Sequence, residues 1–173
     1  INQLFFDFFA TTARSADALY ILGDFFEYWA GDDDIDDSFN RAVIDALASL
    51  TSSGVSVFLM HGNRDFLIGE KFAAASGVIL LQDPTVIDLN GMRTVLLHGD
   101  TLCTDDIEYQ QFRKQVRDPK WQRQFLAQPL AQRKAIIEEL RRRSESEKQT
   151  KSMDIMDVTQ SSVDEILREH RYP

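Results

Sequence analysis

Three short apolar runs along the chain each end in glycine and polar residues. They cover residues 18–22, 57–60 and 94–97, and they lead into Gly23-Asp24, His61-Gly62-Asn63 and His98-Gly99-Asp100. Continuous apolar runs of this length are typical of strands that are buried on both faces of a sheet covered by helices. The pattern predicts three buried strands with polar side chains at their carboxyl ends.

Helical periodicity separates the first two runs. Between about Ser38 and Thr51 the apolar residues fall on one helical face, and Gly54 is placed to end the helix. The order of strand, helix and strand predicts a right-handed parallel crossover. A shorter helix is predicted over residues 69–76.

The pair Asn90-Gly91 lies between two further apolar segments, residues 85–89 and 92–96. This pair favours a type I′ turn and predicts a β-hairpin. Together with the crossover, the hairpin predicts an α/β fold with a mixed sheet.

The pattern becomes helical after Thr104. Helices are predicted over about 106–116, 121–143 and 156–169, and Pro129 is expected to divide the second of them. Residues 141–151 contain no large apolar side chain and are predicted to form a loop or mobile connection. The predicted organisation is a core over residues 1–104, a helical lid or cap over 105–152 and a return helix over 153–173.

Composition places the 173 residues in the range of one soluble domain, with 43% hydrophobic and 27% charged residues. The apolar runs are too short to cross a bilayer. The single cysteine, Cys103, excludes an internal disulfide framework and favours a reducing compartment. The cytoplasm is therefore the predicted location.

Charge is divided unevenly along the chain, whose net charge is −9. Residues 1–103 hold 5 basic and 15 acidic residues, whereas residues 113–151 hold 12 basic and 5 acidic ones. The acidic part suits metal ligation and repels nucleic acid, and the basic part suits a phosphorylated ligand or an anionic membrane. Two solvated helical faces would explain the same division equally well.

Asp24, Asn63 and His98 follow the three predicted strands and are expected to converge at one edge of the sheet. Carboxylate, amide oxygen and imidazole suit a divalent ion such as Mn²⁺, and the neighbouring Arg64 could hold a phosphate bidentately. A helix cap, a turn and a core histidine would explain each residue singly. The recurrence at three strand ends favours a metal site.

Other motifs narrow the function classes. The chain lacks the phosphate loop, the dinucleotide fingerprint and the nucleophile elbow. The acidic run 32–34 lacks the glycine pattern of a calcium loop and is predicted to initiate a helix. His61 could support the metal site or play a structural role, and both interpretations stay open.

The motifs Gly23-Asp24, 62–65 and 98–100 resemble those of the calcineurin-like metallophosphoesterases. Within this family, the sequence resembles the UDP-2,3-diacylglucosamine pyrophosphatases of bacterial lipid A synthesis at residues 16–24, 61–67, 98–106 and 155–158. The resemblance implies a sandwich of mixed β-sheets flanked by helices, with a helical lid insertion.

It also implies Mn²⁺-dependent hydrolysis of the pyrophosphate bond of UDP-2,3-diacylglucosamine to UMP and 2,3-diacylglucosamine 1-phosphate (lipid X). The implied location is peripheral, on the cytoplasmic face of the inner membrane. A nucleic-acid partner is not expected, and no protein partner is inferred. A metallophosphodiesterase for a soluble nucleotide and a non-catalytic binding module of the same fold are the alternatives.

Site residues follow from the resemblance position by position. Asp24 matches the carboxylate that bridges two Mn²⁺ ions, and Asn63 and His98 match ligands of the second ion. Asn63 and Arg64 match residues that hold the substrate phosphate. Substrate contacts are predicted in the lid, where the family commonly has asparagine in place of the lysine at 148: Asp106, Tyr109, Arg141, Ser144, Lys148 and Lys151.

The ends of the chain depart from the family. The family opens with an Asp-x-His strand and closes with a Gly-His-x-His segment, and this sequence contains neither motif. We therefore expect the chain to be truncated at both ends, and to be inactive by itself because its dinuclear centre would be incomplete.

Overall fold

The structure, a computed structural model, describes residues 2–171, with side chains for all of these except residues 2, 147–150 and 153–154. The chain forms two units, Ile1–Thr85 and Val86–Pro173. The predicted division between a core and a lid at residues 104 and 105 stays a prediction. Within the described residues, no helix combines the length and apolar character that a bilayer span requires.

The first unit contains a parallel sheet in the order β1-β2-β3. Its elements in chain order are α1 (Asn2–Ala10), β1 (Ala18–Ile21), α2 (Ser38–Ser52), β2 (Ser56–Met60), α3 (Glu70–Ser76) and β3 (Ile79–Leu81). Leu19 of β1 is in register with Val57 of β2, and Leu59 of β2 with Leu80 of β3. The predicted parallel crossover is confirmed, whereas β3 was not predicted.

Helix α2 contributes one apolar face to the core of this unit. Helix α2 contacts β2. Its apolar face consists of four residues that are almost fully buried: Val43, Ile44, Leu47 and Leu50. Burial of each such side chain contributes about 1.5–3 kcal/mol. The carboxylate of Asp37 caps the helix by accepting from the backbone N–H of Phe39 at 3.0 Å.

The acidic run Asp32–Asp34 forms a 3₁₀ turn that is joined to α3. The Asp32 carboxylate accepts hydrogen bonds from the backbone N–H groups of Gly69, Lys71 and Phe72 at 2.9–3.1 Å. A negative charge at this place also complements the helix dipole. The run does not initiate the helix that follows it, because Asp37 caps α2; Asp32 instead supports the amino end of α3.

The second unit combines a hairpin with helices. Its elements are β4 (Thr85–Leu89), β5 (Met92–Leu96), α4 (Ile107–Val116), α5 (Pro119–Leu126), α6 (Leu130–Thr150), α7 (Met153–Met156) and α8 (Gln160–Glu169). Asn90 and Gly91 have φ angles of 55° and 81°, as a type I′ turn requires. In the described part of the chain, β4 and β5 form a sheet separate from β1-β2-β3, so the expectation of one mixed sheet is wrong.

The segment predicted to form a lid divides into two helices at the expected proline. Helix α5 ends at Leu126, and α6 begins just after Pro129. The predicted loop over 141–151 is wrong, because α6 continues to Thr150. This segment contains neither glycine nor proline and consists mostly of good helix formers, and Glu139 forms ion pairs with Arg142 and Arg143 one turn later.

Candidate metal and phosphate site

Asp24 lies directly after β1 in an unusual backbone conformation. Gly23 and Asp24 have φ angles of 93° and 51°, in the left-handed region that few residues other than glycine adopt. Aspartate tolerates this region better than most residues do. The Asp24 side chain stays 31% exposed at the carboxyl edge of the sheet, within reach of a ligand.

The loop after β2 approaches Asp24 so closely that position 62 must be glycine. A Cβ atom on Gly62 would lie 2.1 Å from the backbone nitrogen of Asp24 and 2.3 Å from its Oδ1. Both distances are far below any tolerated contact. The glycine of the Gly62-Asn63 motif therefore brings the two loops together.

Asp65 ties the two loops to each other by its carboxylate. Oδ1 accepts from the backbone N–H of Gly62 at 2.8 Å, and Oδ2 accepts from the N–H groups of Phe25 at 2.7 Å and Phe26 at 3.3 Å. Burial raises the pKa of Asp65, these hydrogen bonds oppose the rise, and the charge of Asp24 adds to it. Asp65 belongs to the quoted 62–65 motif, but no pattern in the sequence predicts a role for it.

Arg64 lies beside Asp24, as the sequence analysis expected of a phosphate-binding residue near the metal. Its backbone N–H donates to Asp24 Oδ1 at 2.9 Å, and its Nε lies 3.4 Å from Asp24 Oδ2. The guanidinium also pairs with Glu27 and remains partly exposed. No sequence pattern predicts Glu27 here, because a single exposed glutamate carries no periodic signal.

Asn63 is exposed on the same loop, between Gly62 and Arg64. Oxygen atoms from a carboxylate and an amide are ligands that hard divalent cations prefer, so Asp24 and Asn63 fit such an ion. Across the described residues, no group of three or more His, Cys, Asp or Glu side chains is placed to hold a metal. His61 bonds through Nε2 to the carbonyl of Ile68 at 2.7 Å, which favours the structural role for this histidine.

His98 follows β5 and therefore lies in the second unit, whereas Asp24, Asn63 and Arg64 lie in the first. The sequence predicts the strand before His98 in the same sheet as β1 and β2, and the strand pairing contradicts this prediction. The role of His98 as a metal ligand stays a prediction.

The loop after His98 is bound to helix α4. The hydroxyl of Tyr109 donates to Asp100 Oδ2 at 2.6 Å, and Nε of Arg113 donates to the same oxygen at 2.8 Å. Burial opposes ionisation of Asp100, but the hydrogen bonds from Arg113 and Tyr109 outweigh it, so the pKa of this carboxyl is lowered. Tyr109, a predicted substrate contact, is thus hydrogen-bonded within the protein.

Two further predicted substrate contacts are paired with each other. The Nζ of Lys151 donates to both carboxylate oxygens of Asp106 at 2.7 and 3.0 Å, and lies 3.3 Å from Glu108. Asp106 also caps α4 by accepting from the N–H of Tyr109 at 3.1 Å. The hydrogen bond to Asp106 raises the pKa of Lys151, and burial opposes the rise.

The remaining predicted lid contacts lie on α6. Arg141 is partly buried and Ser144 is exposed, while the side chain of Lys148 lies outside the described residues. The basic segment 113–151 is not wholly a ligand surface. Arg133 is 1% exposed, and its Nε donates to the carbonyl of Gln128 at 3.0 Å.

Comparison with known proteins gives the family. Residues 3–160 match the model of a family described as calcineurin-like phosphoesterase. A UDP-2,3-diacylglucosamine hydrolase of Aromatoleum aromaticum is 57% identical over 99% of this chain and 69% of its own length. Proteins of the same name from Cellvibrio japonicus and Chromobacterium violaceum are 51% and 49% identical, over 98% and 100% of this chain and 70% and 73% of their own lengths.

The family match confirms the predicted fold class, and the mixture of helices and sheets in both units agrees with it. It also implies divalent metal ions and hydrolysis of a phosphate ester or anhydride. Together with these hydrolases, the chain belongs to the calcineurin-like phosphoesterase family.

Proposed function

We propose that the protein hydrolyses the pyrophosphate bond of UDP-2,3-diacylglucosamine in a Mn²⁺-dependent reaction of lipid A synthesis. Water would attack one phosphorus, the anhydride P–O bond would break, and UMP and 2,3-diacylglucosamine 1-phosphate would leave. The observation that supports this proposal most is the 57% identity, over 99% of the chain, with a relative named UDP-2,3-diacylglucosamine hydrolase.

Asp24, Asn63 and His98 are the residues that we propose as metal ligands, with Asp24 shared by two Mn²⁺ ions. Bound ions of this kind polarise phosphoryl oxygens and lower the pKa of an attacking water. Asp65 supports the first two ligands, because its carboxylate holds the backbone N–H of Gly62 and that of Phe25. The loops that carry Asp24 and Asn63 are thereby fixed before substrate binds.

Arg64 is the proposed phosphate-binding residue of the chain. Its side chain is 39% exposed, and its Nε lies 3.4 Å from the Asp24 carboxylate. A planar guanidinium can bind a phosphate through two parallel hydrogen bonds. Charge on the phosphate shifts as the anhydride bond breaks, so we expect Arg64 to contribute more to the transition state than to the ground state.

We further propose that the protein works at the cytoplasmic face of the inner membrane, where its lipid-bearing substrate would lie. The excess of 12 basic over 5 acidic residues in 113–151 suits an anionic lipid surface. Lid helices also carry exposed apolar side chains, among them Ile107, Phe112 and Leu126. Such side chains suit the lipid boundary, and the proposal includes neither nucleic acid nor a protein partner.

The test uses the full-length protein, freed of metal and then supplied with Mn²⁺. UMP release is measured from UDP-2,3-diacylglucosamine and compared with hydrolysis of a soluble phosphodiester. We expect fast, Mn²⁺-dependent release from the lipid substrate, no activity for Asp24→Ala at any Mn²⁺ concentration, and a trace for His98→Ala that excess metal rescues. Asp45→Asn, an exposed change on α2, is the control.

Other results would point to the alternatives. Preference for the soluble phosphodiester would indicate a soluble nucleotide as substrate. Binding of the lipid substrate without hydrolysis, in the presence of Mn²⁺, would indicate a non-catalytic module. Near-normal turnover by Asp24→Ala would refute the metal assignment.

A further inference from the structure

Helix α4 holds the loop that follows His98 through several side chains. Tyr109 and Arg113 both donate to Oδ2 of Asp100, and the amide of Gln110 donates to the backbone carbonyls of Asp100 at 2.8 Å and Cys103 at 3.1 Å. The donors lie on consecutive turns of one helix. They therefore fix both the side chain and the backbone of the loop.

Asp100 is a buried carboxylate, which is an unusual choice of side chain if its role were only to anchor the loop. It is more than nine-tenths buried, and although Oδ2 accepts two hydrogen bonds, Oδ1 has no hydrogen-bond partner among the described residues. Burial of a carboxylate is costly unless charge and hydrogen bonds compensate for it. Asp100 is the first residue of a 3₁₀ turn of only three residues, Asp100–Leu102, so capping of a long helix does not explain its burial.

A single residue links Asp100 to His98. Gly99 stands between them with a φ angle of 100°, a conformation that glycine adopts without strain. Glycine has wide backbone freedom in general, so the placement of His98 depends on how the residues beside Gly99 are held. The hydrogen bonds from α4 hold Asp100, on one side of Gly99.

We infer that Asp100 is a positioning residue for His98: held by Arg113 and Tyr109 of α4, it fixes the loop that carries the imidazole and so joins metal binding to the lid. The inference rests on the proposed function, in which His98 is a Mn²⁺ ligand. Loss of groups that orient a metal ligand lowers metal affinity or activity by about 10–100-fold.

The test measures Mn²⁺ binding to the full-length protein without substrate, by electron paramagnetic resonance of the unbound ion. Asp100→Asn removes the charge, and Arg113→Met removes the guanidinium but keeps the length of the side chain. We expect each variant to weaken Mn²⁺ binding by about tenfold or more. The double variant should be little worse than either single one, because both act through the same contact.

Matched controls lie next to each position. Lys114→Met changes an exposed cation on the same helix, and Asp105→Asn changes an exposed carboxylate close to Asp100 in sequence. Both should bind Mn²⁺ like the wild type. Circular dichroism and the unfolding midpoint in urea establish that each variant is folded.

An anchor that merely stabilises the lid would give a different result. Folded variants with a lowered unfolding midpoint and unchanged Mn²⁺ affinity would overturn the inference and leave the proposed function intact. If Asp100→Asn does not fold, the affinity of Arg113→Met decides the question. A wild-type protein that binds no Mn²⁺ would overturn both the proposed function and the inference.

Discussion

Asp65 offers the sharpest test of how the site is held together. The substitution Asp65→Asn keeps the size of the side chain but replaces one acceptor oxygen by an NH₂ group. In the wild type, one oxygen serves Gly62, and the other serves Phe25 and Phe26. Whichever way the new amide turns, at least one backbone N–H faces a donor instead of an acceptor.

The magnitude follows from these three contacts. Hydrogen bonds to a charged group contribute about 1.5–3 kcal/mol, and a buried donor left without a partner costs about 1–3 kcal/mol. Burial opposes the negative charge of Asp65, and its removal returns part of this loss. We therefore expect Asp65→Asn to lower the free energy of unfolding by about 2–4 kcal/mol, a large share of the usual 5–15 kcal/mol.

Urea unfolding monitored by tryptophan fluorescence measures this loss. Trp29 is buried in the same unit, and the background substitution Trp121→Phe removes the tryptophan of the lid. Asp45→Asn on the exposed side of α2 is the control and should change stability by less than about 0.5 kcal/mol. An Asp65→Asn midpoint equal to that of the control, at an unchanged urea dependence, would refute the reasoning.

Three further predictions concern the site and the lid. Gly62→Ala should lower kcat, and should lower the free energy of unfolding by about 2 kcal/mol, because the methyl group of the alanine would overlap the backbone of Asp24. A normal urea midpoint and a normal kcat would contradict this. The pKa of Lys151 is raised above its ordinary value of 10.5, so the ion pair with Asp106 stabilises the fold fully below pH 10.5 and is lost as the pH rises through the higher pKa of the folded state. Lys151→Met should therefore flatten the fall of the urea midpoint at alkaline pH. An equally steep fall in this variant would exclude the ion pair as the cause. In steady-state kinetics with the lipid substrate, Arg64→Ala should mainly lower kcat. Lys151→Ala should instead raise KM about tenfold, because a lost contact of roughly 1.4 kcal/mol corresponds to a factor of ten. An equal loss of kcat in both variants would argue against a substrate-binding lid.

Local patterns in the sequence predicted the elements whose periodicity is strong. The buried face of α2, the crossover from β1 to β2 and the Asn90-Gly91 hairpin are each encoded within a few neighbouring residues. The same holds for Asp24 and Asn63, because a parallel pair of strands brings its carboxyl ends to one edge.

Contacts between distant residues were beyond the reach of such patterns. Asp65 and Phe25 are 40 positions apart, and the carboxylate that joins them leaves no periodic signal. Strand β3 has three residues, too few to show alternation. The sequence predicts a loop over residues 141–151 because this segment lacks large apolar side chains, although helix propensity and ion pairs to Glu139 favour the helix that continues to Thr150.

The Asp32 carboxylate also bears on the order in which the chain folds. Helix α3 has seven residues, whereas isolated helices shorter than about 12–15 residues are marginal in water. Its first amides are held by a carboxylate nearly forty positions earlier, which also accepts from the indole N–H of Trp29 at 3.0 Å. Since the helix gains this support only when the acidic turn docks, the two should form in one cooperative step. Hydrogen exchange at the amides of Lys71 and Phe72 and at that indole should then report the same free energy of opening, once each rate is corrected for the intrinsic exchange rate of its group.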